Sequence, residues 1–124
     1  MDRLVLLVQD YPGLQYLLRV LLEPEGYTLL VAESEQEALA QLTTQRPALI
    51  VLDWPLEDKG RLAFLDELCR RGLHPGIPVL VLTGEEWRIA EFLKDIGVDG
   101  CLPKPFRVSA LLGEVSRLVS GNPQ

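Results

Sequence analysis

Leu49-Ile-Val-Leu-Asp53-Trp-Pro55 is an unbroken apolar run stopped by a carboxylate, and its form decides the fold. A strand covered on one face alternates apolar with polar residues. A continuous run such as Ala48–Leu52 reads instead as a strand covered on both faces. Leu4–Val8, Val79–Leu82 and Val98–Leu102 have the same form, and Tyr27–Ala32 reads as a further strand. Asp10, Asp53, Thr83 and Lys104 each stand at or just beyond the C-terminal end of a different run.

Segments of helical spacing separate the runs. Leu14, Leu17, Leu18 and Leu21 follow the i, i+3, i+4, i+7 pattern up to Pro24 and Gly26. Ser34 and Glu37 have capping-box spacing ahead of Ala38, Leu39 and Leu42, and Pro47 stops that helix. Leu62, Leu65, Leu68 and Cys69 give the next stripe, closed by Gly72, and Pro75, Gly76 and Pro78 mark a tight loop. Ile89, Leu93 and Ile96 predict a fourth helix closed by Gly97; Val108, Leu111, Leu112, Val115 and Leu118 predict the last. Strict alternation of five strands with five helices predicts an α/β fold, a single doubly wound (βα)5 flavodoxin-like domain. Right-handed crossovers favour a five-stranded parallel sheet in the order 2-1-3-4-5. Residues 1–119 are expected to form that domain, with 120–124 a flexible tail or the start of a linker.

A chain of 124 residues, 48 % apolar and 24 % charged, is the size and composition of one globular domain. No apolar stretch approaches the ~18 residues of a membrane span, and no export signal is visible, so the expected location is the cytoplasm. The formal charge of -6 repels phosphate backbones and argues against direct nucleic-acid binding through this domain. Cys69 and Cys101 lack metal-ligand spacing and read as small packed hydrophobes.

In a doubly wound sheet the C-terminal ends of the strands meet at one edge, where such folds place their chemistry. Singly, Asp10 could cap a helix ahead of Pro12, Asp53 could sit in a turn, Thr83 could end a strand, and Lys104 could be a solvated loop residue. Jointly they form a set. A hard cation such as Mg²⁺ takes one or two carboxylates and keeps positions for water and phosphate. A hydroxyl and an ammonium then hold phosphoryl oxygens and offset developing charge.

With these residues in view, the chain resembles the receiver domain of two-component response regulators, the CheY-like family. The matching segments are Leu4-Val-Leu-Leu-Val-Gln-Asp10, Leu49-Ile-Val-Leu-Asp53, Val79-Leu-Val-Leu-Thr83-Gly84 and Gly97-Val-Asp-Gly-Cys-Leu-Pro-Lys104-Pro105-Phe106. The resemblance implies that Asp53 accepts a phosphoryl group from a phosphohistidine on a sensor histidine kinase or phosphotransfer protein. It implies Mg²⁺ held by Asp10, Asp53 and the backbone carbonyl of Pro55. Thr83 would bond a phosphoryl oxygen, and Lys104 would pair with the phosphate or with unmodified Asp53. A cis Lys104–Pro105 bond is part of the same pattern, as is a downstream protein target. The implied activity is a phosphorylation-controlled binding module rather than an enzyme with an external product.

Three positions depart from the pattern. Gln9 stands where receivers carry an acid next to Asp10; it can accept a hydrogen bond from a metal-bound water but adds no charge. At ~4 Å an opposite charge is worth ~4 kcal/mol gross at an effective dielectric of ~20, much of it cancelled by desolvation, so weaker Mg²⁺ binding is expected. The loop Trp54-Pro-Leu-Glu-Asp-Lys-Gly60 is short, with proline two places after the acceptor. Cys101 occupies the place of the family's switch aromatic and is too small to act as a swinging ring. These departures carry an alternative: a receiver-like domain acting as a phosphorylation-independent interaction module. A haloacid-dehalogenase-like phosphatase would need an acid at Pro55, and an FMN site would need a hydroxyl-rich loop in place of Gln9-Asp-Tyr-Pro-Gly; neither fits.

Trp87 falls opposite Ile89 and Ile96. It reads either as a contact surface, on the side many receivers use for homodimers or output, or as a ring folded over its own loop. Tyr16 and Val20 lie off the first stripe, either as a docking patch for the kinase or packed against the last helix. His74 is in a Gly/Pro-rich loop away from the site and has no assigned role.

Overall fold

The computed structural model describes residues 3–54, 59–84 and 97–121. Strands β1 (Leu4–Val8), β2 (Thr28–Ala32), β3 (Leu49–Trp54), β4 (Val79–Thr83) and β5 (Gly100–Pro103) form one sheet, all pairs parallel, in the order β2-β1-β3-β4-β5. Helices α1 (Pro12–Leu22), α2 (Glu35–Gln41), α3 (Lys59–Arg70) and a C-terminal helix (Val108–Ser120) connect and cover it. The expected fourth helix over Ile89–Ile96, and Trp87 with it, lie outside the described residues.

The unbroken apolar runs have the cause inferred for them. Successive strand residues point to opposite faces, and each face meets its own apolar layer. Leu6, Val8, Ile50, Leu52, Val79 and Val81 pack with Ala38, Leu42, Phe64, Leu65 and Leu68. Val5, Leu7, Leu49, Val51, Leu80 and Leu82 pack on the other side with Leu18, Leu22, Leu111, Val115 and Leu118. Burial of each such side chain contributes roughly 1.5–3 kcal/mol, so the sheet is held by both layers at once.

The helix stripes needed correction. In α1 Leu18 and Leu22 are buried while Leu17 is 42 % exposed, because the inward row runs i, i+4 from Leu14 through Leu18 to Leu22. In α3 Phe64, Leu65 and Leu68 face the sheet. Leu62 and Cys69 fall outside that arc and are exposed, so Cys69 is not a core residue. Val108 likewise lies at the open first turn of the C-terminal helix and is exposed. Tyr16 and Val20 are exposed. Half of the capping box of α2 is present: Ser34 Oγ accepts the Glu37 N–H at 3.1 Å, but Glu37 Oε1 accepts the N–H of Glu33, one residue ahead of the N-cap, at 2.6 Å.

His74 has a structural role that its loop context did not disclose. It is 7 % exposed, with Nδ1 2.9 Å from the Ile77 carbonyl oxygen and Nε2 2.7 Å from that of Gly97. The ring thus ties the loop before β4 to the loop before β5, where Gly97 takes a φ of 91 that favours glycine. His74→Ala removes the bridge and leaves a void. It is expected to cost about 2–3 kcal/mol, read as a lower urea midpoint at unchanged slope.

Candidate functional site

β1, β3, β4 and β5 end at one edge of the sheet, and their registers bring the site residues level. β3 runs further than its apolar run, because β4 continues the ladder through Asp53↔Leu82 and Trp54↔Thr83. Asp53 is therefore a strand residue fixed on a ladder, not a turn residue. Leu7 and Val51 lie on the same face of the sheet, as do Leu82 and Leu102. Two residues beyond Leu7, Val51 and Leu102 come Gln9, Asp53 and Lys104; Asp53 is within β3, while Gln9 and Lys104 follow directly on the ends of β1 and β5.

Lys104 Nζ donates to Asp53 Oδ1 at 2.5 Å, across 51 residues of chain. The two side chains are 34 % and 13 % exposed. A half-buried pair of this kind gains little net stability, since desolvation offsets its attraction. Its consequence is positional: the carboxylate is held with a cation against one oxygen. The Lys104 N–H also donates to the Thr83 carbonyl at 2.6 Å, so the turn after β5 is tied to the end of β4. Thr83 itself is fully buried. The Lys104–Pro105 bond is cis, as the resemblance implies.

Asp10 is exposed, two residues past the end of β1. It does not serve as the helix cap: the N-cap position of α1 is Tyr11, with no side-chain cap bond and Pro12 in the first turn. Gln9, by contrast, is 1 % exposed. Its Oε1 accepts the Tyr11 N–H at 2.5 Å, and its main-chain oxygen accepts Gln15 Nε2 at 2.5 Å. Its own Nε2 has no hydrogen-bond partner among the described residues. The sequence alone gives Gln9 the place of a missing acid, able to accept a hydrogen bond from a metal-bound water. The local signal for more was the Gln9-x-Tyr11 turn, whose N–H needs an acceptor beside a proline-opened helix. Cys101 is half-buried, level with Val81, and packs against the first core layer. The Pro55 carbonyl lies outside the described residues.

Among the described residues, the carboxylates of Asp10 and Asp53 and the ammonium of Lys104 sum to one net negative charge. Among the described residues no group of three His, Cys, Asp or Glu side chains gathers as a metal cage. A pair of carboxylates nonetheless suits Mg²⁺, which keeps several waters and commonly takes one or two acidic ligands. The donor set fits that cation, with less charge than a three-acid pocket.

A parallel five-stranded sheet with this edge defines the class, and comparison of the sequence specifies it. The description of the response regulator receiver domain matches residues 5–116, and the chain belongs to that family. It is 32 % identical over 117 residues to the phosphate regulon transcriptional regulatory protein PhoB of Pseudomonas aeruginosa, covering 93 % of this chain and 51 % of that protein. It is 36 % identical over 111 residues to the probable transcriptional regulatory protein TcrX of Mycobacterium tuberculosis, covering 87 % of this chain and 46 % of that one. The chain thus spans about half the length of the curated relatives it matches. Among solved structures it is similar to the signal receiver domain of a signal transduction histidine kinase from Syntrophus aciditrophicus. That match has a TM-score of 0.84 and 28 % identity, over 99 % of this chain and 94 % of that one. No helix among the described residues is long and apolar enough to cross a membrane.

Proposed function

We propose that this domain accepts a phosphoryl group on Asp53 from a phosphohistidine of a histidine kinase or phosphotransfer protein, and that the modification changes its affinity for a downstream protein. The observation that carries the reading is the Lys104–Asp53 contact at the C-terminal edge of the sheet. A carboxylate oxygen of Asp53 attacks phosphorus as the P–N bond of the phosphoimidazole, protonated on its other ring nitrogen, breaks, the electron pair staying on nitrogen. The product is an acylphosphate on Asp53 and a free imidazole on the donor. Lys104 orients the carboxylate beforehand and then stays beside the phosphoryl oxygens, where the charge now lies. Thr83 supplies a hydroxyl at the adjacent strand end. Asp10, Asp53 and the backbone carbonyl of Pro55 would hold Mg²⁺, which would supply positive charge beside the phosphoryl oxygens. The exposed Tyr16 and Val20 on α1 are proposed as part of the surface that meets the phosphodonor.

The modification replaces a single carboxylate charge by about -1.5 to -2 and adds acceptor oxygens, enough to reorganise adjoining loops. Cys101 favours a second reading of the output. Packed in the first core layer and lacking a ring, it cannot take part in a threonine-coupled aromatic switch. A domain whose signal does not use phosphate would present a fixed interaction surface instead. Incubation with acetyl phosphate and Mg²⁺, followed by intact mass and peptide mapping, separates the two. A phosphate adduct on the Asp53 peptide is expected; an unmodified chain that stays folded supports the fixed surface.

A further inference from the structure

Resting on the acceptor reading of Asp53, we infer that Gln9 is a phosphoryl-oxygen donor rather than a weakened metal contact. Three observations point there. Gln9 is 1 % exposed, so its amide can find few waters. The Tyr11 N–H holds Oε1 at 2.5 Å, which fixes the orientation of the amide and leaves the NH₂ as the open end. That NH₂ has no acceptor among the described residues.

A buried donor without a partner costs about as much as a lost hydrogen bond, so an acceptor supplied from outside the chain would relieve it. Val8↔Leu52 is the last pair of the β1–β3 register, and Gln9 and Asp53, the residue that would carry the new group, each follow it by one residue. Adjacent strands lie ~4.8 Å apart, within reach of a side-chain amide. The chemistry of the NH₂ then selects the ligand. It cannot ligate a cation, and a metal-bound water has given its lone pair to the metal and offers its hydrogens. An anionic phosphoryl oxygen fits both the hydrogens and the charge deficit left by the missing acid. Gln9 and Lys104 then hold the phosphoryl group together, in a pocket that gains phosphate affinity where it gives up cation affinity.

Beryllofluoride, which occupies a phosphoryl position on a carboxylate oxygen, tests this by NMR on the complete chain. The Gln9 side-chain NH₂ resonances are assigned by their loss in Gln9→Glu. They are expected to move when beryllofluoride is added with Mg²⁺ and to stay in place with Mg²⁺ alone. Gln9→Glu is expected to bind Mg²⁺ about tenfold more tightly, yet at saturating Mg²⁺ to bind beryllofluoride about tenfold more weakly, as is Gln9→Met. A Gln9→Glu chain that gains affinity for both ligands overturns the inference. So does an NH₂ pair that stays still while the backbone amides of Asp53 and Lys104 shift. If beryllofluoride moves none of Asp53, Thr83 and Lys104, the acceptor reading itself falls and takes this inference with it. The NMR comparison on the unsubstituted chain stands even if Gln9→Met fails to fold.

Discussion

Asp53→Asn is expected to abolish adduct formation with acetyl phosphate, by at least about 10³-fold and so below detection by intact mass. An amide oxygen is a poor nucleophile, and no carboxylate replaces Asp53 on the ladder to β4. Asp10 is not a substitute, because it lies past the end of β1 and is exposed. The fold should survive. The substitution is nearly isosteric and keeps an acceptor oxygen for Lys104, so the stability change should stay within about 1 kcal/mol. Residual labelling at wild-type rate, mapped elsewhere, would place the acceptor on another residue.

The second large effect has opposite signs in two assays. Lys104→Met keeps the length of the side chain and removes its charge. Loss of a positioned cation at the developing phosphoryl charge is expected to slow Asp53 labelling about 10²-fold at saturating Mg²⁺. The same change removes one positive charge from beside Asp53. Mg²⁺ affinity, read from Trp fluorescence, should therefore rise about tenfold, equivalent to ~1.4 kcal/mol of removed repulsion. A merely structural lysine would lower both. Parallel losses of labelling and Mg²⁺ binding would thus refute the role given to Lys104.

Much of this architecture can be read without coordinates. Unbroken apolar runs at β1, β3 and β4 mean strands covered on both faces, and helical segments between them force parallel crossovers. The strand order and the Asp–Asp–Thr–Lys set follow from that alternation. Helix faces were harder, because neighbouring leucines compete for a limited arc. Leu17 and Leu18 are equally apolar, yet only Leu18 is buried, and Phe64 takes the position that a leucine count gave to Leu62. Strand limits also shifted: pairing with β4 carries β3 through Asp53 and Trp54, where composition alone marks a turn.

By itself the sequence determined the βα alternation, the sheet edge and the residue types gathered there, because periodicity and strand ends are local properties. Tertiary structure decided what those residues do to one another. Only folding puts Lys104 Nζ at 2.5 Å from Asp53 Oδ1, and only folding encloses His74 between Ile77 and Gly97. The same holds for Gln9, whose one-letter difference from an acid reads as missing charge. Its enclosure, with one end of the amide satisfied and the other not, depends on Tyr11 and the covering of β1. Partners far apart in the chain meet through packing, and a side chain's hydrogen-bond state is a property of that meeting.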